Sequence, residues 1–190
     1  MPERVLLVTG FGAFPGVAVN PTAQVAEALA QPLAGWQIVS AVLPVAWRSA
    51  REQVADLVAQ HQPACIVHLG VATDAQRLRI ERQGVNALRF RVPDTAGEQP
   101  QEGEVEGGAA AALVTAVAVD ALVAHLSALG FDAEVSDDAG RYVCNATYFS
   151  SLHNHRDARV LFVHLPAVSE TWPEARLKAA SAAVLAWLSS

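Results

Sequence analysis

The chain has 190 residues and a formal net charge of −6, and this length suits one domain with a substantial core. Its 13 lysine and arginine residues are scattered rather than clustered, so nucleic-acid binding is not indicated. No apolar run reaches the roughly 18 residues that a membrane helix needs. The opening segment MPERVLLVTG has only a short apolar stretch and no small-residue cleavage site, so we expect a cytoplasmic protein.

Apolar runs alternate with helical patterns along the chain. Strands are predicted at 5–9, 36–45 and 65–71, near 133–137, and at 160–165. Helices are predicted to begin at the Asn20–Pro21 pair, to cover WRSAREQVADLVAQH, to end at Gly130, and to run from near Pro173 to the C-terminus. Strands that are apolar on both faces predict an α/β fold. We therefore expect a three-layer α/β/α sandwich with a largely parallel (mixed) central sheet, formed by residues 1–190 as a single domain.

The two cysteines differ in their surroundings and are too few for a disulfide framework. Cys65 lies in ACIVHLGV, a run typical of a buried parallel strand, which predicts an inert core thiol. Cys144 is flanked by polar and turn residues in GRYVCNATYFSS, where a helix could begin. The exposed N–H groups and dipole of a helix N-terminus stabilise a thiolate. Cys144 is therefore the candidate nucleophile, and a structural cysteine at a loop–helix junction is the alternative.

Two further residues complete a candidate acyl-transfer site. His164 ends the apolar strand RVLFVHLP, at the edge of the sheet where ligands gather, although a core histidine bonded to backbone is the alternative. Glu81 lies among arginines in RLRIERQGVN, where an ordinary surface ion pair is the alternative. A thiol, an imidazole and a carboxylate are the parts of a cysteine-nucleophile triad. The pair His153 and His155 lacks a third ligand of defined spacing, so we predict neither a metal site nor a cofactor.

Two loops are candidates for the walls of the site. TGFGAFPG follows a strand, but it has Pro15 where the dinucleotide motif needs glycine and lacks the lysine of the phosphate-binding loop. We predict a tight loop exposing Phe11 and Phe14, whose rings could sandwich a small flat ring, with a core position as the alternative. Residues 93–108 are rich in Gly, Pro and Glu and predict a long loop, either a functional wall or lid or a mobile, solvated excursion.

Six segments resemble, in order, the signature blocks of the pyroglutamyl peptidase type I (pyrrolidone-carboxylate peptidase) family: TGFGAFPG, NPT, IERQGVN, RVPDTAGEQP, SDDAGRYVCNATY and FVHLP. The resemblance runs from about Val5 to Pro166 and is most specific around the candidate nucleophile. It implies a thiol protease, a hydrolase that removes an N-terminal pyroglutamyl residue from peptides through a thioester. It also implies that Cys144 is the nucleophile, that His164 is the general base and acid, and that Glu81 orients the imidazole.

The same resemblance implies a set of substrate contacts, namely Phe11, Phe14, Asn20, Val71, Arg91 and Val143. Arg91 could polarise the oxyanion or brace the site, with a structural salt bridge as the alternative. The chain departs from the bacterial form of the family at Gly12, Ala13, Pro15 and Val71. These changes leave the triad intact but alter side-chain contacts to the lactam.

Family members are often tetramers, so the resemblance raises a homo-oligomer as an expectation. Two other functions stay open at the level of sequence. One is a pyroglutamyl-binding protein without turnover, and the other is a different enzyme on a similar α/β/α scaffold, such as a nucleoside phosphorylase.

Overall fold

The computed structural model describes residues 4–14, 16–33 and 35–190. Pro15, one of the departures noted above, lies outside the described residues. The elements in chain order are β1 (Arg4–Phe11), α1 (Pro21–Ala28), β2 (Trp36–Leu43), α2 (Trp47–His61), β3 (Cys65–Ala72), β4 (Leu78–Glu81), β5 (Gln83–Val85), β6 (Ala112–Val114), α3 (Val119–Ala128), β7 (Ala133–Ser136), α4 (Val143–Asn154), β8 (Arg159–Pro166) and α5 (Glu174–Ser189).

Six of these strands form one twisted sheet in the order β2-β1-β3-β8-β4-β7. All neighbouring strands in it are parallel except β4 and β8, which pair antiparallel. Strands β5 and β6 form a separate antiparallel pair. The predicted α/β fold with a largely parallel, mixed sheet is therefore confirmed.

Helices cover both faces of the sheet, and each face has its own apolar cluster. Helices α1, α3 and α5 pack on one face through residues such as Val25, Leu122 and Leu185. Helices α2 and α4 pack on the other face, where Phe149 and Phe162 are fully buried. Burial of such large apolar side chains supplies the main stabilisation of the fold. The three layers follow from strands that are apolar on both sides.

Local signals in the sequence set several helix boundaries. The Asn20 side chain accepts the Thr22 N–H at 3.1 Å, and Pro21 is the first residue of α1. Gly130 follows α3 with a φ of 83°, in the left-handed region that glycine tolerates. Strand β2 ends at Leu43 rather than at the predicted residue 45, because Pro44 has no N–H with which to continue the ladder. The short strands β4, β5 and β6 were not predicted from the sequence.

Polar contacts fasten α4 to the sheet and to β5. His68, fully buried on β3, hydrogen-bonds Thr9 of β1 at 2.7 Å and Ser151 of α4 at 2.9 Å. Burial lowers the pKa of His68 to about 3, so this ring is uncharged at neutral pH. The Asn145 side chain accepts the Val85 N–H and donates to the Val85 carbonyl, both at 2.9 Å. The start of α4 is thereby held at the carboxyl end of the sheet.

The segment 93–108 is anchored to the fold near both ends, and most of the residues between these anchors are exposed. Asp94 is buried, and its carboxylate accepts N–H groups of Trp47, Ala96 and Glu98. At the other end of the segment, the Glu106 carboxylate accepts hydrogen bonds from α2 and α4, through Arg51, Ser150 and Asn154. These contacts hold both ends of the segment against the α2–α4 face.

In the part of the chain that the structure describes, no helix is long and apolar enough to cross a membrane.

Candidate active site

The antiparallel pairing of β4 with β8 brings Glu81 and His164 together. In this register Arg79 lies opposite His164, and Glu81 lies opposite Phe162. Because side chains alternate across a strand, Glu81 shares a face with Arg79, and His164 shares a face with Phe162. The two residues are diagonal neighbours, a separation that long side chains span. The Nδ1 of His164 donates to Oε1 of Glu81 at 2.7 Å.

Glu81 is fully buried, so the alternative of a surface ion pair does not apply to it. The arginines around it in the sequence pair with other acids: Arg79 with Asp74 at 3.2 Å, and Arg82 with Asp120 at 3.1 Å. The bond to Glu81 uses Nδ1 of His164, which leaves Nε2 as the nitrogen available to a reacting group. A carboxylate holding one ring nitrogen fixes the tautomer and orientation of the imidazole.

The pKa of His164 is raised from its ordinary value to about 9. Burial alone opposes the charged ring, but the Cys144 sulfur and the Glu81 carboxylate outweigh it. The imidazole therefore holds its proton through neutral pH, next to the sulfur that would supply it. The protonation of His164 therefore depends on the other two predicted catalytic residues, Cys144 and Glu81.

Cys144 is the second residue of α4, after Tyr142 as N-cap and Val143 as first residue. It is partly exposed, whereas Cys65 is fully buried in β3. Burial raises the pKa of the Cys65 thiol to about 11, although the nearby Arg159 acts in the opposite direction. The contrast expected from the sequence is present, because one thiol is enclosed in the core and the other lies at a helix N-terminus. The first N–H groups of a helix have no intrahelical acceptor and point outwards.

Cys144 and His164 line a cavity of about 460 Å³ at the carboxyl ends of β1 and β3. Four of the predicted substrate contacts also line it, namely Phe11, Phe14, Asn20 and Val71. A cavity of this size suits a small molecule or one residue of a peptide. Val45, Ala139 and Tyr142 complete its mostly apolar wall.

The two phenylalanines of the glycine-rich loop occupy different environments. Phe11 is only 2% exposed and packs in the core, with its ring centre 6.4 Å from that of Phe162. Phe14 is half-buried and presents more of its ring to the cavity. The loop is tight at Gly10, where an added Cβ would lie 2.1 Å from the Thr22 carbonyl oxygen. Both expectations from the sequence apply, since one ring belongs to the core and the other to the cavity wall.

Asn20 and the two remaining predicted contacts, Val143 and Arg91, have more restricted positions. The amide nitrogen of Asn20 donates to the Gly12 carbonyl at 3.1 Å, and its oxygen caps α1. Val143 has a fully buried side chain, so only its backbone is available to a substrate. Arg91 lines a second cavity on the far side of Tyr142 and is not among the residues lining the first.

Three residues that the sequence did not single out shape the site. Tyr142 separates the two cavities, and its hydroxyl donates to the Pro93 carbonyl at 3.0 Å. Asp74 lies in the wall of the first cavity with its charge paired to Arg79. Gly70 is opposite His164 in the β3–β8 register. The position of Gly70 directly after an apolar run was the one signal in the sequence that could have indicated a close approach.

Comparisons with known proteins agree with this geometry. The family model described as pyroglutamyl peptidase matches residues 4–183. The chain belongs to the pyroglutamyl peptidase family. The pyrrolidone-carboxylate peptidase of Gloeobacter violaceus is 38% identical over 171 residues, covering 88% of this chain and 83% of that protein. The corresponding enzyme of Thermococcus kodakarensis is 32% identical over 165 residues, covering 85% and 80%.

Solved structures of the family have the same fold. A mutant pyrrolidone carboxyl peptidase from the hyperthermophile Pyrococcus furiosus superposes with a TM-score of 0.93 at 26% identity, covering 98% of this chain and 99% of that one. Pyroglutamyl peptidase I of Bacillus amyloliquefaciens gives a TM-score of 0.88 at 26% identity, covering 97% and 96%. These findings confirm the resemblance seen in the sequence blocks and, with it, the class of cysteine peptidase hydrolases.

We expect Gly70→Ala to impair the candidate site while the fold persists. An alanine Cβ would lie 2.8 Å from the Phe162 ring, which has to shift, and 3.0 Å from Cδ2 of His164, which has to give by a few tenths of an ångström. A displacement of this kind away from the bond to Glu81 predicts a fall in kcat of about 10²-fold. Steady-state kinetics and the Tm measured by circular dichroism check this.

The matched control is Gly107→Ala, because an added Cβ there meets no atom within 4 Å. Wild-type kcat in Gly70→Ala would contradict the close approach described here.

Proposed function

We propose that this protein hydrolyses the amide bond after an N-terminal pyroglutamyl residue of peptides, through a triad of Cys144, His164 and Glu81. The observation that carries the proposal is the buried 2.7 Å bond from His164 to Glu81, at the wall of a cavity that also contains the Cys144 sulfur. Membership in the pyroglutamyl peptidase family gives the substrate class. Together these supply a nucleophile, a general acid and base, and its orienting group.

In the first half of the reaction, the Cys144 sulfur attacks the pyroglutamyl carbonyl after its proton has passed to His164. The carbonyl oxygen becomes an oxyanion, which N–H groups at the start of α4 are placed to bind. Each such donor contributes about 3 kcal/mol of transition-state stabilisation. The imidazolium then gives its proton to the departing amine, and a thioester between Cys144 and the pyroglutamyl group is left.

In the second half, water takes the place of the amine. His164 removes a proton from this water as it attacks the thioester carbonyl, and then returns a proton to the Cys144 sulfur as pyroglutamate leaves. Glu81 keeps the imidazole in one orientation throughout, because its bond to Nδ1 leaves Nε2 for both transfers. No group outside the triad, the backbone and water is required for this cycle.

The cavity suits a neutral lactam better than a charged N-terminal residue. Its walls are mostly apolar, and the one carboxylate among the described residues that line it, Asp74, is already paired with Arg79 at 3.2 Å. An opened ring would bring an ammonium group with no free counter-charge at the cavity wall, and burying an unpaired charge is costly. Phe14 offers a ring face against which the flat lactam can stack.

The nucleoside phosphorylase alternative is weaker on electrostatic grounds. Phosphorolysis needs a bound phosphate, for which proteins use arginine, lysine or a cluster of N–H groups. Among the described residues that line the cavity there is no arginine or lysine. A pyroglutamyl-binding protein without turnover would keep the cavity, so a turnover assay separates that alternative from the peptidase.

The first prediction concerns the nucleophile. We expect the protein to release a fluorescent amine from its pyroglutamyl amide, and a thiol alkylator to abolish this release. Cys144→Ser should lower kcat by more than about 10³-fold with the Tm unchanged, because a hydroxyl is a far poorer nucleophile in this setting. The control is Cys65→Ser, which should affect stability rather than turnover since Cys65 is fully buried. Inactivation with alkylation confined to Cys65 would contradict the assignment.

The second prediction concerns Glu81. Glu81→Gln should lower kcat by about 10²–10⁴-fold with little change in KM, because the imidazole loses its orienting charge. The carboxylate helps to raise the pKa of His164 to about 9, so its removal lowers that pKa. The imidazolium that protonates the leaving amine is then lost at a lower pH. The alkaline limb of the pH–rate profile should therefore move to lower pH in the variant.

Glu134→Gln is the matched control for Glu81, since it changes a partly exposed carboxylate on the adjacent strand. An unchanged alkaline limb in Glu81→Gln would show that this carboxylate does not act on the imidazole.

The third prediction separates recognition from folding. Phe14→Ala should raise KM for the pyroglutamyl amide with a small change in Tm, because Phe14 is half-buried at the cavity wall. Phe11→Ala should instead destabilise the fold by about 3–5 kcal/mol, the usual cost of removing a buried aromatic ring. Urea unfolding and steady-state kinetics on both variants test this. A wild-type KM in Phe14→Ala would show that stacking on this ring does not contribute to specificity.

A cytoplasmic location and a homo-oligomer stay predictions. Cell fractionation and size-exclusion chromatography with light scattering test them directly.

A further inference from the structure

Two cavities continue from the catalytic cavity on the far side of Tyr142. The nearer one has a volume of about 470 Å³ and is lined by Arg89, Arg91 and Arg141 as well as by Tyr142 itself. The next, of about 420 Å³, again includes Arg89 and Arg141. Tyr142 is a wall of both the catalytic cavity and the nearer one, and Arg89 and Arg141 are walls of both the nearer cavity and the next. The three cavities therefore lie in a row, which we call the cleft. We call the part beyond Tyr142, which is lined by Arg89, Arg91 and Arg141, the arginine groove.

Backbone and side-chain contacts hold the walls of the arginine groove in place. The Arg89 N–H donates to the Arg141 carbonyl at 3.0 Å, which joins the two sides of the groove. The neighbouring Phe90 N–H donates to the Pro100 carbonyl at 2.8 Å, and the Phe90 ring packs edge-on against Tyr142 with centres 4.6 Å apart. The groove is thus a built surface whose guanidinium groups project from fixed backbone.

The arginine groove carries an excess of positive charge in a chain whose net charge is −6. Glu102 pairs with Arg89 at 3.4 Å, and Asp138 pairs with Arg141 at 2.5 Å. Arg91 is exposed, and within residues 4–14, 16–33 and 35–190 no carboxylate lies at ion-pair distance from it. Three guanidinium groups thus face two carboxylates, and the guanidinium of Arg91 is available to an incoming anion.

The position of the arginine groove relative to Cys144 determines which part of a bound peptide can enter the groove. Phe14, Val71 and Cys144 all line the catalytic cavity. On the proposed function, the lactam lies against Phe14 and the bond to be cut lies at the Cys144 sulfur. Tyr142 is two residues before Cys144 and lines both the catalytic cavity and the groove. A peptide with its pyroglutamyl ring against Phe14 can therefore continue past Tyr142 into the arginine groove.

We propose that the arginine groove binds a carboxylate within the first two residues of the leaving peptide, so that pyroglutamyl peptides with an anionic leaving portion are preferred substrates. This inference rests on the proposed function. The carboxylate can come from an acidic side chain or from the C-terminus of a very short peptide, because guanidinium groups bind both in the same way. Arg91 is the residue that discriminates, since its charge is not already neutralised.

The experiment compares pyroglutamyl peptide amides that differ in one residue, aspartate, asparagine or lysine, at the first or second position after pyroglutamate. A free-acid form of the asparagine peptide tests the C-terminal carboxylate separately. We expect kcat/KM to fall from aspartate to asparagine to lysine, by roughly two- to fivefold at each step for partly exposed charges. The differences should shrink at high ionic strength, because salt screens such interactions.

Variants of the groove localise the effect. In Arg91→Gln the ratio of kcat/KM between the aspartate and asparagine peptides should fall towards one, and in Arg91→Glu the lysine peptide should become the better substrate. The matched control is Lys178→Gln, which removes one positive charge on α5, outside the arginine groove, where Lys178 pairs with Glu174 at 2.6 Å. The control should keep the wild-type ratio.

The pyroglutamyl fluorescent amide tests the peptidase function separately from the arginine groove, because its leaving group is uncharged. Absence of cleavage of every pyroglutamyl amide would overturn the peptidase function and this inference together. Cleavage of the fluorescent amide with equal kcat/KM for aspartate, asparagine and lysine peptides would overturn only the arginine groove. A ratio that falls equally in Arg91→Gln and Lys178→Gln would also overturn it, since the effect would then come from net charge.

Discussion

The buried bond between Glu81 and His164 is the interaction around which the site is built. A fully buried carboxylate loses its hydration, and in proteins this costs several kcal/mol unless a partner compensates. Among the described residues, the second oxygen of Glu81 has no hydrogen-bond partner, so the bond from Nδ1 of His164 carries that compensation. The same bond favours a protonated imidazole, which is the form that a leaving amine needs.

The surrounding packing keeps these two side chains in register. The Tyr148 hydroxyl donates to the Glu81 carbonyl at 2.8 Å, which ties β4 to the helix that carries Cys144. Burial raises the pKa of Tyr148 above its usual range, so the phenol remains a donor. On the opposite side, Gly70 leaves room for the imidazole. Cys144, His164 and Glu81, the three residues of the proposed triad, thus belong to three elements held by direct contacts.

The cleft joins an apolar end to a cationic end, and this division follows from where its walls originate. Phe14 comes from the loop after β1 and Val71 from the carboxyl end of β3, and both strands are next to the apolar core. The arginines come from the outer segments 89–91 and 138–141, which are in contact with solvent. On the proposed function, an uncharged ring and a charged leaving peptide would lie in neighbouring cavities without burying an unpaired charge.

The sequence by itself determined the local features: most strands and helices of the sandwich but not β4, the Asn20 cap, the glycine stop at Gly130, and the contrast between Cys65 and Cys144. These depend on residues close together along the chain, so periodicity and capping chemistry reveal them. The resemblance to a family also indicated Glu81. Its neighbouring arginines in the sequence had favoured a surface ion pair instead. Tertiary structure alone decided how these parts meet. Glu81 and His164 are 83 positions apart, and only the antiparallel insertion of β4 beside β8 makes them neighbours. The arginine groove depends likewise on contacts between distant segments, which no local pattern encodes.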